Sequence, residues 1–420
     1  MTGLLLIALI VGLFILRQPV FLILGAAVGY VYFFYGSGFL ADIAQDMFSA
    51  LDHEILLAVP LFIFAGNLMS SGSIARRLIE IASQITSPIN GGLGVAAVLS
   101  CAIFAAISGS SVVTLLAIGS VLYPALLKQN FDKETSLGVL SSSGTLGVIV
   151  PPSIPLILYG LVTQTSVTDL FLAGVLPSLL IASALIAFVM WKCRHMERRS
   201  WVKPDLILAF KDGFFAIMMP IIILGGIYSG IFTATEAAGI AVLYALLVEG
   251  FIYRELSYGL LKKASTETVT LIGVVFPILA LAVSLNQFLA FESIPQMLAG
   301  EITEFATTKT QFLILMIVVL LITGCVMDMT PAILLLAPLL EPIAVSMGIN
   351  PVHFGIIMVV SLEIGYLTPP MGLNLFVASS AFKEDITTVV RSSFPFVCVM
   401  FIALVLIVFV PEISLALLRK

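Results

Sequence analysis

Two short polar turns and two proline doublets carry most of the chemistry this chain could perform. Ser108-Gly-Ser-Ser111 stands between two apolar runs, and Met327-Asp-Met-Thr-Pro331 between two more. Pro151-Pro152 interrupts "GVIVPPSIPLILYG" (147–160), and Pro369-Pro370 interrupts "GYLTPPMGLNLFV" (365–377). A helix stopped at a proline doublet leaves carbonyl oxygens without intrahelical partners, and the half-helix that follows begins with free N–H groups at the positive end of its dipole. Carbonyls with a hydroxyl or two suit a hard cation such as Na+, while N–H ends suit a carboxylate or similar anion. In the first half of the chain the oxygen candidates are Ser108, Ser110, Ser111, Ser143, Gly144 and Thr145, with the carbonyls up to Pro151. In the second they are Gly324, Asp328, Thr330, Thr368 and the "TPPMG" backbone. Serines also serve helix packing in membranes, so their place beside a turn is what points to ion binding. Asp328, an acid in an apolar hairpin, marks an ion, a proton or a structural partner, or caps the helix after it. Glu236 reads as an interfacial helix cap; Glu341 and Glu363 pair within the helix bundle with partners the sequence does not name.

The elements that must position these groups are membrane helices. The chain has 420 residues, of which 60% are hydrophobic and 10% charged, and its mean hydropathy is +1.18, outside the range of soluble domains. Apolar runs separated by short polar breaks extend from Leu4 to Val410, without the long alternating segments of a β-barrel, so the fold class is an all-α polytopic membrane protein. The first run, Leu4 to Leu16, has no basic region before it and leads through Arg17 into a second apolar stretch, which reads as a retained segment and not a cleaved signal. The net charge of -5 decides little. The largest polar interruption, Lys192 to Asp212, includes Lys192, Arg194, Arg198, Arg199, Lys203 and Lys211 and is expected on the cytoplasmic side. Two spans, about 214–232 and 236–253, then lead to a second basic loop with Arg254, Lys262 and Lys263 on the same side. Membrane on both flanks of these basic stretches argues against nucleic acid as a partner.

Four apolar stretches, 93–107, 112–127, 311–326 and 331–346, are about 15 residues each, roughly 23 Å of helix against a hydrocarbon core of about 30 Å. Paired around the two polar turns, they predict two re-entrant hairpins, tolerable only where the tip is buried in protein or lines a wet cavity. The halves also match. Pro124 and Pro342 stand 218 residues apart, as do Pro151 and Pro369, and "PLFIFAGNLMSSGSI" from Pro60 shares the order Pro, Asn, Ser-Ile with "PILALAVSLNQFLAFESI" from Pro277. Duplicated halves with matching broken helices point to a secondary transporter whose site lies where the breaks meet. The expected division is 1–54, N-terminal scaffold; 55–190, first repeat, with hairpin 93–127 and broken helix 136–163; 191–265, basic loop and scaffold; 266–390, second repeat, with hairpin 311–346 and broken helix 354–381; and 391–420, a C-terminal helix. No Walker-type loop is present, His53-Glu54 lacks the second histidine of a zinc protease, and Cys101, Cys193, Cys325 and Cys398 have neither disulfide nor metal-ligand spacing. An enzyme reading has no anchor.

Six stretches in order, "FAGNLMSSGSIARRL" (64–78), "IFAAISGSSVVTLLAIGSVLYP" (103–124), "SSGTLGVIVPPSIPLILYG" (142–160), "FTATEAAGIAVLYAL" (232–246), "GCVMDMTPAILLLAPLLEPIA" (324–344) and "GINPVHFGIIMVVSLEIGYLTPPMGLNLFV" (348–377), resemble the large membrane (M, DctM-like) subunit of tripartite ATP-independent periplasmic (TRAP) transporters. The resemblance implies an inverted-repeat, elevator-type, sodium-coupled importer of organic anions in the bacterial inner membrane. It also implies two partners, a small four-helix Q subunit and a periplasmic substrate-binding protein. No Q-like segment precedes Leu4, so the Q subunit is expected as a separate chain. Carried over by motif, one sodium site uses Ser108, Ser111 and Gly144 with the carbonyls from Val148 to Pro151, and the other uses Gly324, Met327, Thr368 and Met371. Ser110, Thr145, Pro152, Asp328, Pro370 and Asn374 are then expected at the substrate. A proton-coupled carrier acting without a binding protein, and a channel-like membrane protein, remain as alternatives.

Overall fold

The computed structural model describes residues 2–16, 18–34, 40–197, 201, 203–294, 297, 300, 302 and 306–418. Arg17, Arg198 and Arg199, named above, lie outside the described residues. Every regular element described is a helix: α1 Thr2–Ile15, α2 Val20–Phe34, α3 Leu40–Leu51, α4 Ala58–Ser71, α5 Ile74–Thr86, α6 Gly92–Ser108, α7 Ser111–Lys128, α8 Lys133–Gly144, α9 Leu146–Ile149, α10 Ile154–Thr163, α11 Val167–Lys192, α12 Lys203–Asp212, α13 Phe214–Tyr228, α14 Ala234–Leu247, α15 Tyr258–Phe291, α16 Lys309–Val326, α17 Met329–Ser346, α18 Pro351–Gly365, α19 Leu373–Phe382 and α20 Ile386–Phe409. Among the described residues nine helices are long and apolar enough to cross a membrane, or ten if α12 and α13, bent by 56° at Gly213, form one span.

Both expected helix pairs are present. Gly109 and Ser110 alone join α6 to α7, and Met327 and Asp328 join α16 to α17. Their helices run 17 or 18 residues, about 27 Å at 1.5 Å per residue, so they exceed the expected 15. The apolar count stopped at residues such as Gly92 and Lys128, which the helices nonetheless include. Three of the four reach the length of a membrane span, and length alone therefore does not make them re-entrant. Both broken helices are present too. The first runs from Lys133 to Thr163 with its interruption at 150–153, and the second from Pro351 to Phe382 with its interruption at 366–372. The peptide bonds Pro151-Pro152 and Pro369-Pro370 are both cis.

The packing exchanges partners between the halves. Before its break, each broken helix lies against the hairpin of its own half, α8 and α9 against α6 and α7, and α18 against α16 and α17. After the break it crosses to the other half: α10 packs on α17 and α19 packs on α7. Tyr123 on α7 stacks on Phe382 of α19 with ring centroids 4.7 Å apart, and its hydroxyl donates to Glu384 at 2.8 Å, a carboxylate that Lys133 also pairs.

Elsewhere the polar breaks are more helical than the sequence suggests. Residues 203–212 of the basic interruption form α12, and Lys262 and Lys263 lie inside the 34-residue α15, since lysine is a good helix former and apolar residues are interleaved among the charges. Helix α15 thus runs through the expected boundary at 265, and the last membrane helix starts at Ile386 instead of 391. The span expected at 214–232 ends at Tyr228, and that expected at 236–253 runs as Ala234–Leu247 and continues through a π turn over Val248–Ile252. Glu236 closes a capping box with Thr233, as expected.

That π turn places Glu249, only 1% exposed, at the start of α5. Oε1 of Glu249 accepts from the N–H groups of Ser73 at 2.8 Å and Ile74 at 3.0 Å, supplying a cap that the side chain of Ser73 does not. Gly72 is required beside it, because a Cβ there would fall 2.3 Å from Glu249 Oε1. Replacing this charged acceptor by an amide, Glu249→Gln, should lower stability by about 1–3 kcal/mol. Thermal unfolding in detergent should show a clear fall for this variant and little change for the exposed control Glu267→Gln.

Candidate functional site

The tip of the first hairpin is built by its own backbone. Gly109 ends α6 with φ of +57°, the left-handed region in which glycine carries no steric cost, and Ser110 caps α7 by accepting from the N–H of Val113 at 3.5 Å. This turns three serines inward. Ser108 Oγ lies 2.7 Å from Thr114 Oγ1, and Ser111 Oγ donates to Asn374 Oδ1 at 3.3 Å. Asn374, fully buried, donates in turn to Glu363 Oε1 at 3.1 Å. A relay of hydrogen bonds therefore runs from the first tip, through the second broken helix after its break, to the same helix before its break.

The second tip is tied to that helix as well. The Tyr366 hydroxyl donates to the Asp328 carboxylate and accepts from the N–H of Met329 at 3.3 Å. Asp328 does stand at the position before α17, but its side chain makes no cap bond; its partner is the phenol. Capping is therefore not its role. Glu363 and Tyr366 sit three residues apart on α18 and the turn after it, so they present to one side.

Both tips line a single cavity of about 320 Å³. Ser108, Gly109, Ser110 and Ser111 contribute from one side, Asp328, Met329 and Thr330 from another, and Val148, Ile154 and Pro155 from around the first break. Glu363, Tyr366 and Leu373 come from around the second, and Ile63, Leu271 and Val275 close an apolar wall. Asp328 and Glu363 are its acidic residues, and no Lys, Arg or His lines it among the described residues. Glu363 is fully buried, and its second oxygen has no hydrogen-bond partner among the described residues.

Of the residues singled out from sequence, Ser108, Ser110, Ser111, Val148, Asp328, Thr330 and Glu363 meet at this cavity, and Asn374 joins them through Ser111. The others do not line it. Gly144 packs on Leu115; Thr145 donates its hydroxyl to the carbonyl of Ser142; Pro151 and Pro152 are buried in the break. Gly324 faces the carbonyl of Leu362, Met327 packs partly buried against the core, and Thr368 donates to the carbonyl of Ile364. Pro370 and Met371 are exposed, and the N–H of Met371 donates to the carbonyl of Cys325 at 3.1 Å. Sequence reasoning missed Tyr366 and Thr114 and left Glu363 without a partner. A tyrosine immediately before "LTPP" was the available signal, but its acceptor lies 38 residues away in the chain.

Two glycines fix how closely the tips approach. A Cβ on Gly147 would fall 2.3 Å from the carbonyl oxygen of Ser110, and one on Gly365 would fall 2.7 Å from the Cα of Gly324. Gly147 and Gly365 are 218 residues apart, the offset of the proline doublets. Gly147→Ala should force the first tip away from its broken helix and cost about 1–3 kcal/mol as an overpacked contact. A lowered melting temperature with unchanged helix content checks it; Gly273→Ala, where a Cβ meets nothing within 4 Å, is the control.

Comparison with known proteins places this geometry in a family. The family model described as "Tripartite ATP-independent periplasmic transporter, DctM component" matches residues 6–413. The chain is 38% identical over 379 residues to the C4-dicarboxylate TRAP transporter large permease protein DctM of Pseudomonas aeruginosa, covering 90% of this chain and 89% of that one. It is 37% identical over 380 residues to the isethionate TRAP transporter permease protein DctMQ of Oleidesulfovibrio alaskensis, covering 89% of this chain and 59% of that protein. The fold is similar to the crystal structure of the Alcanivorax borkumensis YdaH transporter, with a TM-score of 0.65 at 13% identity over 97% of this chain and 98% of that one. A multi-pass helical protein with this match over nearly its whole length is a transporter permease and not an enzyme, and the chain belongs to the DctM component family of tripartite ATP-independent periplasmic transporters.

Proposed function

We propose that this chain is the permease subunit of a sodium-coupled importer of organic anions in the bacterial inner membrane. In this reading it is loaded by a periplasmic binding protein, is assembled with a small four-helix Q subunit, and works by an elevator movement of the two hairpins and broken helices. The observation that carries the reading is the convergence of both tips, one from each half, on one cavity beside both proline breaks. Hydroxyls and freed carbonyls at such breaks suit Na+, whose hard-cation chemistry would neutralise the acidic lining before an anion enters. In the first half Ser108 and Ser111 with the carbonyls from Val148 to Pro151 would hold one ion; in the second, the backbone of Gly324, Met327 and Met371 with Thr368 would hold another. The substrate would rest between them, against Ser110, Asp328 and Asn374. Relatives named for C4-dicarboxylate and isethionate transport support a small organic acid as cargo, and a relative named DctMQ, of which this chain spans 59%, supports a Q-type partner.

A second reading, proton coupling without a binding protein, is favoured by one feature. Two carboxylates, Asp328 and Glu363, line the cavity, and a buried acid can carry a proton.

Uptake into proteoliposomes separates the two. On the main reading it requires an inward Na+ gradient, the Q subunit and loaded binding protein together, and Ser111→Ala raises the half-saturating Na+ concentration severalfold with folding preserved. Uptake indifferent to Na+ but driven by a pH gradient, and abolished in Asp328→Asn, establishes the second reading instead.

A further inference from the structure

The C-terminal end of α11 carries a basic pocket that the transport site does not use. Lys192 ends the helix, and Arg194 and His195 follow on a turn. With Phe188, Trp191 and Pro395 of α20 they line a cavity of about 380 Å³ between the two helices. The turn is held in place. The N–H of Cys193 donates to the carbonyl of Val189 at 2.8 Å, that of Met196 to the carbonyl of Cys193 at 3.0 Å, and Asn90 Nδ2 fixes the carbonyl of Arg194 at 2.8 Å. Arg194 lies 5.9 Å from the Trp191 ring and gives its Nε to His195, and Lys192 Nζ lies 5.9 Å from the Phe396 ring. Among the described residues none of the three basic side chains has an acidic partner within 4 Å, although the charge of Asp132 acts on Lys192 from further away.

We propose that this pocket binds the phosphate headgroup of an anionic phospholipid, with the acyl chains running along the groove between α11 and α20. Three features converge on that ligand. Unpaired cations at the end of a membrane span sit at headgroup level. Trp191, 61% exposed beside them, is the amphipathic ring that favours this depth. The apolar side of the pocket is open to lipid as well: Phe188 and Pro395 line it, and Ile402, two turns along α20 on the same face as Pro395, is 63% exposed. A soluble anion would use the cations alone; only a lipid uses the walls as well.

The test uses the full chain, purified in a neutral detergent and depleted of lipid. Phosphatidylglycerol added at increasing mole fraction should raise the melting temperature saturably, phosphatidylcholine should not, and native mass spectrometry should count retained phosphatidylglycerol. Each basic group near an anionic lipid contributes about a factor of five in affinity, so Lys192→Gln with Arg194→Gln should weaken phosphatidylglycerol binding about 25-fold. Should that double variant fold poorly, Arg194→Gln alone, expected about fivefold weaker, carries the same test. Equal responses to both lipids, unchanged binding in the variants, or an equal shift from inorganic phosphate at the same concentration would each overturn the proposal.

Discussion

The exchange of half-helices between the two repeats is the constraint on which the rest of this molecule depends. A proline doublet in a membrane helix removes donors and frees carbonyls that lipid cannot satisfy, so the segment beyond it must be held by something other than its own ladder. Here α10 is held by the hairpin of the second half and α19 by the hairpin of the first, while the segments before each break stay with their own. Neither half can therefore complete its break alone. The cavity is a joint product of both, and the glycine contacts at Gly147 and Gly365 are the places where backbone meets backbone closely enough to leave no slack.

The electrostatics of the cavity follow from the same arrangement. Bringing both tips to one point also brings Asp328 and Glu363 to one cavity, where no basic residue among the described ones offsets them. The protein supplies donors instead: the phenol of Tyr366 to Asp328 and the amide of Asn374 to Glu363. Each donor comes from the second broken helix or the turn at its break, so the hydrogen bonding that makes the acids tolerable also fixes the tips to the helix. On the proposed reading this favours an order of binding. An anion facing the Asp328 carboxylate meets repulsion, and a cation that arrives first removes it.

The parts legible in the sequence are those that the backbone itself dictates. Proline doublets, their offset of 218 and the two-residue turns survive any packing, because proline has no N–H to donate and glycine takes the left-handed conformation at Gly109 without steric cost. Apolar counting located the two helix pairs, the two broken helices and the spans after the basic interruption, but misplaced their ends wherever lysine, serine or glycine continued a helix, as at Lys128 and across Lys262 and Lys263. The cavity-facing serines were reachable from their place beside a turn. The pairing of Asp328 with Tyr366 was not, since no local pattern joins positions on two different helices. Gly144, Gly324 and Thr368 lie near the breaks and the second tip but face packing or their own helix, a distinction set by side-chain direction and invisible to spacing.

One wall of the cavity differs from the others. Leu271 and Val275 of α15 close the cavity there with apolar side chains, while the hydrogen bonds described for the tip residues stay among the hairpins and broken helices. Between α15 and those elements, the hydrogen bond found among the described residues is from Asn286 to the carbonyl of Leu334, away from the cavity. By contrast α15 is bound to α4 through Asn67 and Thr268 at 3.1 Å, and to α2 through Ser284 and Tyr32 at 3.2 Å. Motion of the site past α15 would thus exchange apolar contact for apolar contact and release a single hydrogen bond between the Asn286 amide and the Leu334 carbonyl, at a net cost of about 1 kcal/mol. Motion within the site would break the relay that makes its two acids tolerable. If the site moves, it moves as a unit against α15.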